Sequence, residues 1–297
     1  MKHGQAVPKR HRIFDHKLLG FLGAAGMYFL INLVFAFATY RFFPSSPDAK
    51  QILQSLEVVV SALLAMLWYH FIFRDEFDGV LGWSTVGMLL VLPGLLFVVD
   101  NFIGLEPSKF KEMNPVAVAF AMALAPGVCE EILFRGIPGT NWLRVRCEER
   151  DILPDILVTG AVFGLVHGMN FFAGAALGST IFQVSYAFCL GVFFAAVMLR
   201  GGSIVPCMIM HTLIDFSAFL FMDIDSGGII TEELTIDFGF FITLVSAVIL
   251  LAFGIYLVRP AKRAEIVALW NKKWHKEGQA QKSLGDDSDV NIQPVDV

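Results

Sequence analysis

Eight apolar stretches, each near twenty residues long, divide this chain at about 18–40, 55–73, 80–105, 115–137, 155–173, 179–199, 203–222 and 235–258. A helix rising 1.5 Å per residue needs about 20 residues to cross a hydrocarbon core of roughly 30 Å. Inside lipid every backbone polar group must find a partner, and an α-helix provides all of them within one segment. The chain is therefore expected to be all-α, a polytopic membrane protein of about eight transmembrane helices. Composition agrees, since 16% of the 297 residues are charged, against about one quarter in ordinary soluble domains. Pro93 and Pro126 fall within the third and fourth stretches. Bilayer helices tolerate proline, so neither is expected to force a break.

The first stretch, Leu18 to Tyr40, follows five basic residues and contains Ala36-Phe37-Ala38, which imitates a cleavage site. It is longer than the 7–15 residues of a signal-peptide core and reads as a retained anchor. Placing the N-terminus inside puts all but Arg41, Lys50, Lys109 and Lys111 of the 22 Lys and Arg on the inner side. That is the excess the positive-inside rule requires, so both termini are expected to be cytoplasmic. The formal charge of −5 averages this basic face with an outer acidic loop holding Asp223, Asp225, Glu232, Glu233 and Asp237. Basic clusters beside membrane segments meet anionic headgroups, so the lipid is an expected partner and nucleic acid is not.

Three parts follow: a basic cytoplasmic segment 1–17, a transmembrane domain 18–260 with its motif core at 115–216, and a cytoplasmic tail 261–297. The tail begins amphipathic, with Ile266, Val267, Leu269, Trp270 and Trp274 among lysines, suited to lie along headgroups. From Gly278 its polar composition predicts disorder. The connection Gly139 to Asp151 fits a short interfacial helix. Cys129, Cys147, Cys189 and Cys207 show neither disulfide nor metal-ligand spacing.

Ionisable groups inside apolar spans cost about 2.5–3.5 kcal/mol each on insertion scales and mark function. Glu130 and Glu131 stand side by side in the fourth stretch, four residues before Arg135 in the case of Glu131; His167 lies in the fifth; His211 and Asp215 lie in the seventh. With the topology above, Glu130 sits roughly 10 Å from the cytoplasmic boundary, His211 roughly 12 Å, and His167 and Asp215 roughly 18 Å. They can share one layer. Glu131–Arg135 and His211–Asp215 are i, i+4 pairs that share a helix face, while Glu130 points about 100° away from Glu131.

Glu131 is expected to be neutralised by Arg135 as a buried ion pair. Glu130, without a local cation, is the expected general base. His167 would share in activating a water, His211 would donate to the oxyanion of an attacked carbonyl, and Asp215 would orient His211. Phe163 is expected to pack beside the site as apolar bulk. A metal route uses the same groups, because Glu130, His167 and His211 make a His₂Glu set with one position left for water. A divalent metal such as zinc is the one cofactor in view, and the two mechanisms stay open. The HExxH zinc motif is absent from the sequence.

Glu130-Glu131-x-x-x-Arg135, Phe163-x-x-x-His167 and His211-x-x-x-Asp215, in that order on successive apolar segments, resemble the type II CAAX prenyl endopeptidase family, which also includes bacteriocin-processing enzymes. The resemblance covers about residues 115–216. It implies an intramembrane endopeptidase, glutamate-dependent or metal-dependent, with Glu130, His167 and His211 at the site. The third motif of the family often ends in Asn, where this chain has Asp215.

The expected function is hydrolysis of a peptide bond in a membrane-associated protein or peptide, with a prenylated CAAX protein as one substrate class. The expected place is the prokaryotic cytoplasmic membrane, with the site facing the cytoplasm. A non-proteolytic membrane scaffold or regulator is the alternative, and a proton-coupled transporter ranks last because no inverted repeat is visible. Asp100 and Asn101 read as solvated helix-end groups; Asn170, three residues after His167, reads as a loop or cap residue with binding of substrate backbone as the alternative, and Gln183 and Tyr186 share that alternative.

Overall fold

The computed structural model describes residues 47–73, 80–103, 105, 107–137, 148–222 and 230–274, with isolated residues between 23 and 34. The basic segment 1–17, most of the first apolar stretch, most of the expected interfacial helix after Gly139, and the polar end beyond Trp274 lie outside the described residues.

All regular structure among the described residues is helical. The order is α1 (Pro47–Phe73), α2 (Thr85–Leu90), a 3₁₀ turn (Leu92–Gly94) and α3 (Leu95–Asp100). After a 3₁₀ turn at Lys109–Lys111 comes α4 (Val116–Glu131), continued by a π turn (Ile132–Gly136). Then follow α5 (Ile152–Val166), the single turn α6 (Met169–Phe172), α7 (Leu177–Gly201), α8 (Val205–Phe219), α9 (Phe238–Leu257) and α10 (Pro260–Trp274).

Four helical segments are long and apolar enough to cross a membrane: Val116–Gly136, Ile152–Phe172, Leu177–Gly201 and Phe238–Leu257. Ser55–Leu64, Thr85–Asp100 and Val205–Phe219 are apolar but shorter. The eight stretches therefore do not yield eight helices of spanning length among the described residues. One reason is Pro93, which interrupts the third stretch contrary to the sequence expectation. Proline lacks an N–H and its ring collides with the carbonyl one turn back, so the chain tightens into the 3₁₀ turn, where Gly94 N donates to Val91 O at 2.9 Å. Pro126, in contrast, lies inside α4 without ending it.

The central helix is α7, buried continuously from Leu190 to Leu199, as a helix apolar on every side must be. Glycines set how closely its neighbours approach. A Cβ on Gly160 of α5 would lie 2.9 Å from Val192 N, and one on Gly254 of α9 would lie 3.0 Å from Phe193 Cα. Exposed Val158 and Leu165 on α5 and Phe241, Val245, Val248 and Ile249 on α9 form the outer surface. These apolar faces suit lipid, and together with the spanning helices they make this an integral membrane protein.

α4 and α8 run antiparallel. At one end Asn114 Nδ2 donates to Phe219 O (2.7 Å) and Met222 O (2.6 Å), capping the free carbonyls of α8. Further along, Gly127 meets Thr212, where a Cβ would lie 2.7 Å from Thr212 N. This close crossing brings the last turn of α4 beside His211.

The amphipathic α10 packs its apolar face on protein. Ile266 and Trp270 are fully buried, and Trp270 Nε1 donates to Leu199 O at 3.0 Å. Arg200 pairs with Glu265 at 3.0 Å, and Lys273 donates to Gly202 O. Gly202 adopts φ +71°, the left-handed cap that ends α7.

Candidate active site

The end of α4 carries the first group of side chains. Glu131 and Arg135 are fully buried, and Arg135 Nη1 lies 2.7 Å from Glu131 Oε1. The π turn holding Arg135 is stated by Ile137 N bonding Ile132 O, an insertion frequent at functional sites. The guanidinium lies 4.0 Å over the Phe163 ring and 5.7 Å from that of Phe194. Gly191 makes room for it, since a Cβ there would sit 3.3 Å from Arg135 Nη2. Arg135 Nε and Nη2 have no hydrogen-bond partner among the described residues, so the aromatic faces supply their surroundings. Phe163 is thus a seat for Arg135 as well as apolar bulk.

From α8, His211 Nδ1 lies 2.9 Å from the same oxygen of Glu131. A carboxylate only accepts, so Nδ1 carries the proton and Nε2 is turned toward Glu130 and Asp215. Glu130 Oε2 lies 3.8 Å from Nε2, and Asp215 Oδ2 lies 3.5 Å from it. This differs from the expected division of roles. Glu131 makes the orienting bond to His211, and Asp215 stands on the other side of the ring. The i, i+4 spacing of His211 and Asp215 allowed their contact but could not reveal a competing carboxylate from another helix.

The third group comes from α5. His167 Nδ1 donates to Phe163 O at 2.8 Å, which directs its Nε2 away from the helix. The Phe163 ring stands 4.9 Å from the His167 ring and 5.9 Å from the His211 ring, near-perpendicular to both. One phenylalanine therefore packs against both imidazoles and Arg135.

Glu130, His167, His211, Asp215 and Phe163 all line one cavity of about 680 Å³. Glu130 is 27% exposed on its side chain while Glu131 is 0%, so adjacent glutamates face a cavity and a packed interior. Asp100, Asn101, Asn170, Gln183 and Tyr186 also line this cavity. The solvated helix-end reading fails for Asn101, whose Nδ2 donates to Ser217 Oγ (2.8 Å) and Ile214 O (3.1 Å). Their polarity within apolar stretches was the signal that could have marked them.

Glu130, His167 and His211, the expected metal set, line the same cavity. Among the described residues no three His, Cys, Asp or Glu side chains are gathered so as to hold a metal ion. Each histidine donates its Nδ1–H to a protein acceptor, which leaves Nε2 as the ring nitrogen directed at the cavity.

An all-helical integral membrane protein with carboxylates and imidazoles around an internal cavity is the class that fold and site define. Residues 112–217 match the family described as type II CAAX prenyl endopeptidase Rce1-like. This segment runs from just before α4 to within the last turn of α8 and so contains all seven residues of the three motifs. No curated protein and no solved structure matches the chain.

Proposed function

We propose that the protein is an intramembrane endopeptidase that hydrolyses a peptide bond of a membrane-associated protein with a water activated by Glu130. The observation that carries this reading is the placement of Glu130 on the cavity wall with its Oε2 3.8 Å from His211 Nε2, while Glu131 is spent on Arg135 and His211 Nδ1. Glu130 takes a proton from water and hydroxide adds to the carbonyl carbon. His211, when protonated on Nε2, donates to the oxyanion. The proton on Glu130 then passes to the departing nitrogen as the C–N bond breaks. His167 holds the attacking water from the other side, and no covalent nucleophile takes part.

Asp215 borders the position where the oxyanion forms. An ionised Asp cannot donate a hydrogen bond, so it acts on the His211 ring or in its protonated form. The distribution of Lys and Arg supports a site that faces the cytoplasm. The family supports CAAX-type proteolysis in general. Support for a lipidated substrate comes from an apolar groove of about 660 Å³ between Leu92–Val99 and Phe238–Ile249, which shares Asp100 with the catalytic cavity.

The test is a comparison of new protein termini in membranes from cells with wild type or Glu130→Gln at matched expression. Fragments of membrane proteins present only with wild type are expected, and their sequences show whether CAAX ends are cut. Identical termini in both, with the cellular phenotype kept by the variant, would instead support a scaffold or regulator.

A further inference from the structure

We propose that the Asn170–Gln183 carboxamide pair binds the backbone of the substrate beside the scissile bond, an inference that rests on the endopeptidase reading above. Asn170 lies in α6, three residues beyond His167, and Gln183 lies near the start of α7. Asn170 Nδ2 donates to Gln183 Oε1 at 2.9 Å. Tyr186 follows three residues after Gln183 on α7, and all three line the cavity that holds Glu130, His167 and His211. The cavity that carries the catalytic groups therefore also carries neutral polar side chains.

The chemistry of those side chains matches an unwound peptide. A segment must be extended to be cut, and away from water each exposed N–H and C=O then needs a partner. Carboxamides offer donors and acceptors together, as a neighbouring peptide would, and carry no charge to desolvate. The bond between the two amides takes one of the two N–H donors of Asn170 and one lone pair of Gln183 Oε1. Asn170 retains by its chemistry a second N–H and Oδ1 for a substrate carbonyl and amide. Glu130, His211 and Asp215 act at the bond that breaks; the pair acts on the chain flanking it, as a positioning element.

The experiment uses full-length protein in vesicles and a peptide spanning the bond cut in wild-type membranes. Gln183→Glu keeps an acceptor for Asn170 and so keeps the α6–α7 tie, but removes the amide donors. Asn170→Ala removes the whole group. Both variants are expected to raise KM about tenfold with kcat within about twofold, the pattern of lost substrate binding, and to keep the wild-type unfolding midpoint. Unchanged KM in Gln183→Glu, or a lowered midpoint with KM unchanged in Asn170→Ala, would reduce the pair to a structural tie and overturn the proposal. If wild type cuts nothing while correctly folded, the endopeptidase reading fails first and the inference falls with it.

Discussion

His211 Nδ1 lies 2.9 Å from Glu131 Oε1 although the two residues are 80 positions apart, and the same oxygen receives Arg135 Nη1 at 2.7 Å. One buried carboxylate thus joins the end of α4 to the middle of α8. It leaves the adjacent Glu130 facing the cavity.

Replacing Glu131 with Gln should leave the Arg135 charge buried without its counter-ion, a change that costs about 3–5 kcal/mol. Chemical unfolding of the purified variant is expected to show that loss, with cleavage falling because His211 loses its orienting carboxylate. Stability equal to wild type would mean that Arg135 is neutralised elsewhere.

Gly127→Ala should act through the crossing of α4 and α8. The new Cβ meets the Thr212 backbone N at 2.7 Å, which side chains cannot relieve, and overpacking of this kind costs about 1–3 kcal/mol. Gly82→Ala is the control, because nothing lies within 4 Å of a Cβ there. A lowered unfolding midpoint and weaker cleavage are expected for the first variant and neither for the second.

Phe163 touches Arg135, His167 and His211 together. Phe163→Ala is expected to destabilise by about 3–5 kcal/mol and Phe163→Leu by less, since Leu fills volume but offers no π face to the guanidinium. Wild-type stability in Phe163→Leu would show that ring electrostatics contribute nothing.

Trp270 anchors α10 by burial and by its bond to Leu199 O. Trp270→Phe should cost about 1 kcal/mol for the hydrogen bond, and Trp270→Ala about 3–5 kcal/mol. Thermal unfolding of both variants in detergent measures the difference. If neither shifts the midpoint, α10 is not docked in solution.

Hydropathy made the helical class and the segments carrying Glu130, His167 and His211 legible, because lipid requires long apolar runs whatever the packing. The i, i+4 rule likewise made the Glu131–Arg135 pair legible. The bond from Glu131 to His211 was not, since it depends on a helix crossing fixed by Gly127 and Thr212. The break at Pro93 was missed because tolerance of proline depends on neighbours, and Pro126 shows the other outcome in the same chain. Trp270 read as an interfacial residue because nothing local announces that the end of α7 will accept its N–H.

The most direct test measures purified Glu130→Gln twice, for its unfolding midpoint and for cleavage of the peptide identified in wild-type membranes. A cavity-facing base predicts a midpoint equal to wild type and a rate lower by about 100-fold or more. Cleavage at the wild-type rate by the folded variant would contradict Glu130 as the base and remove the central claim.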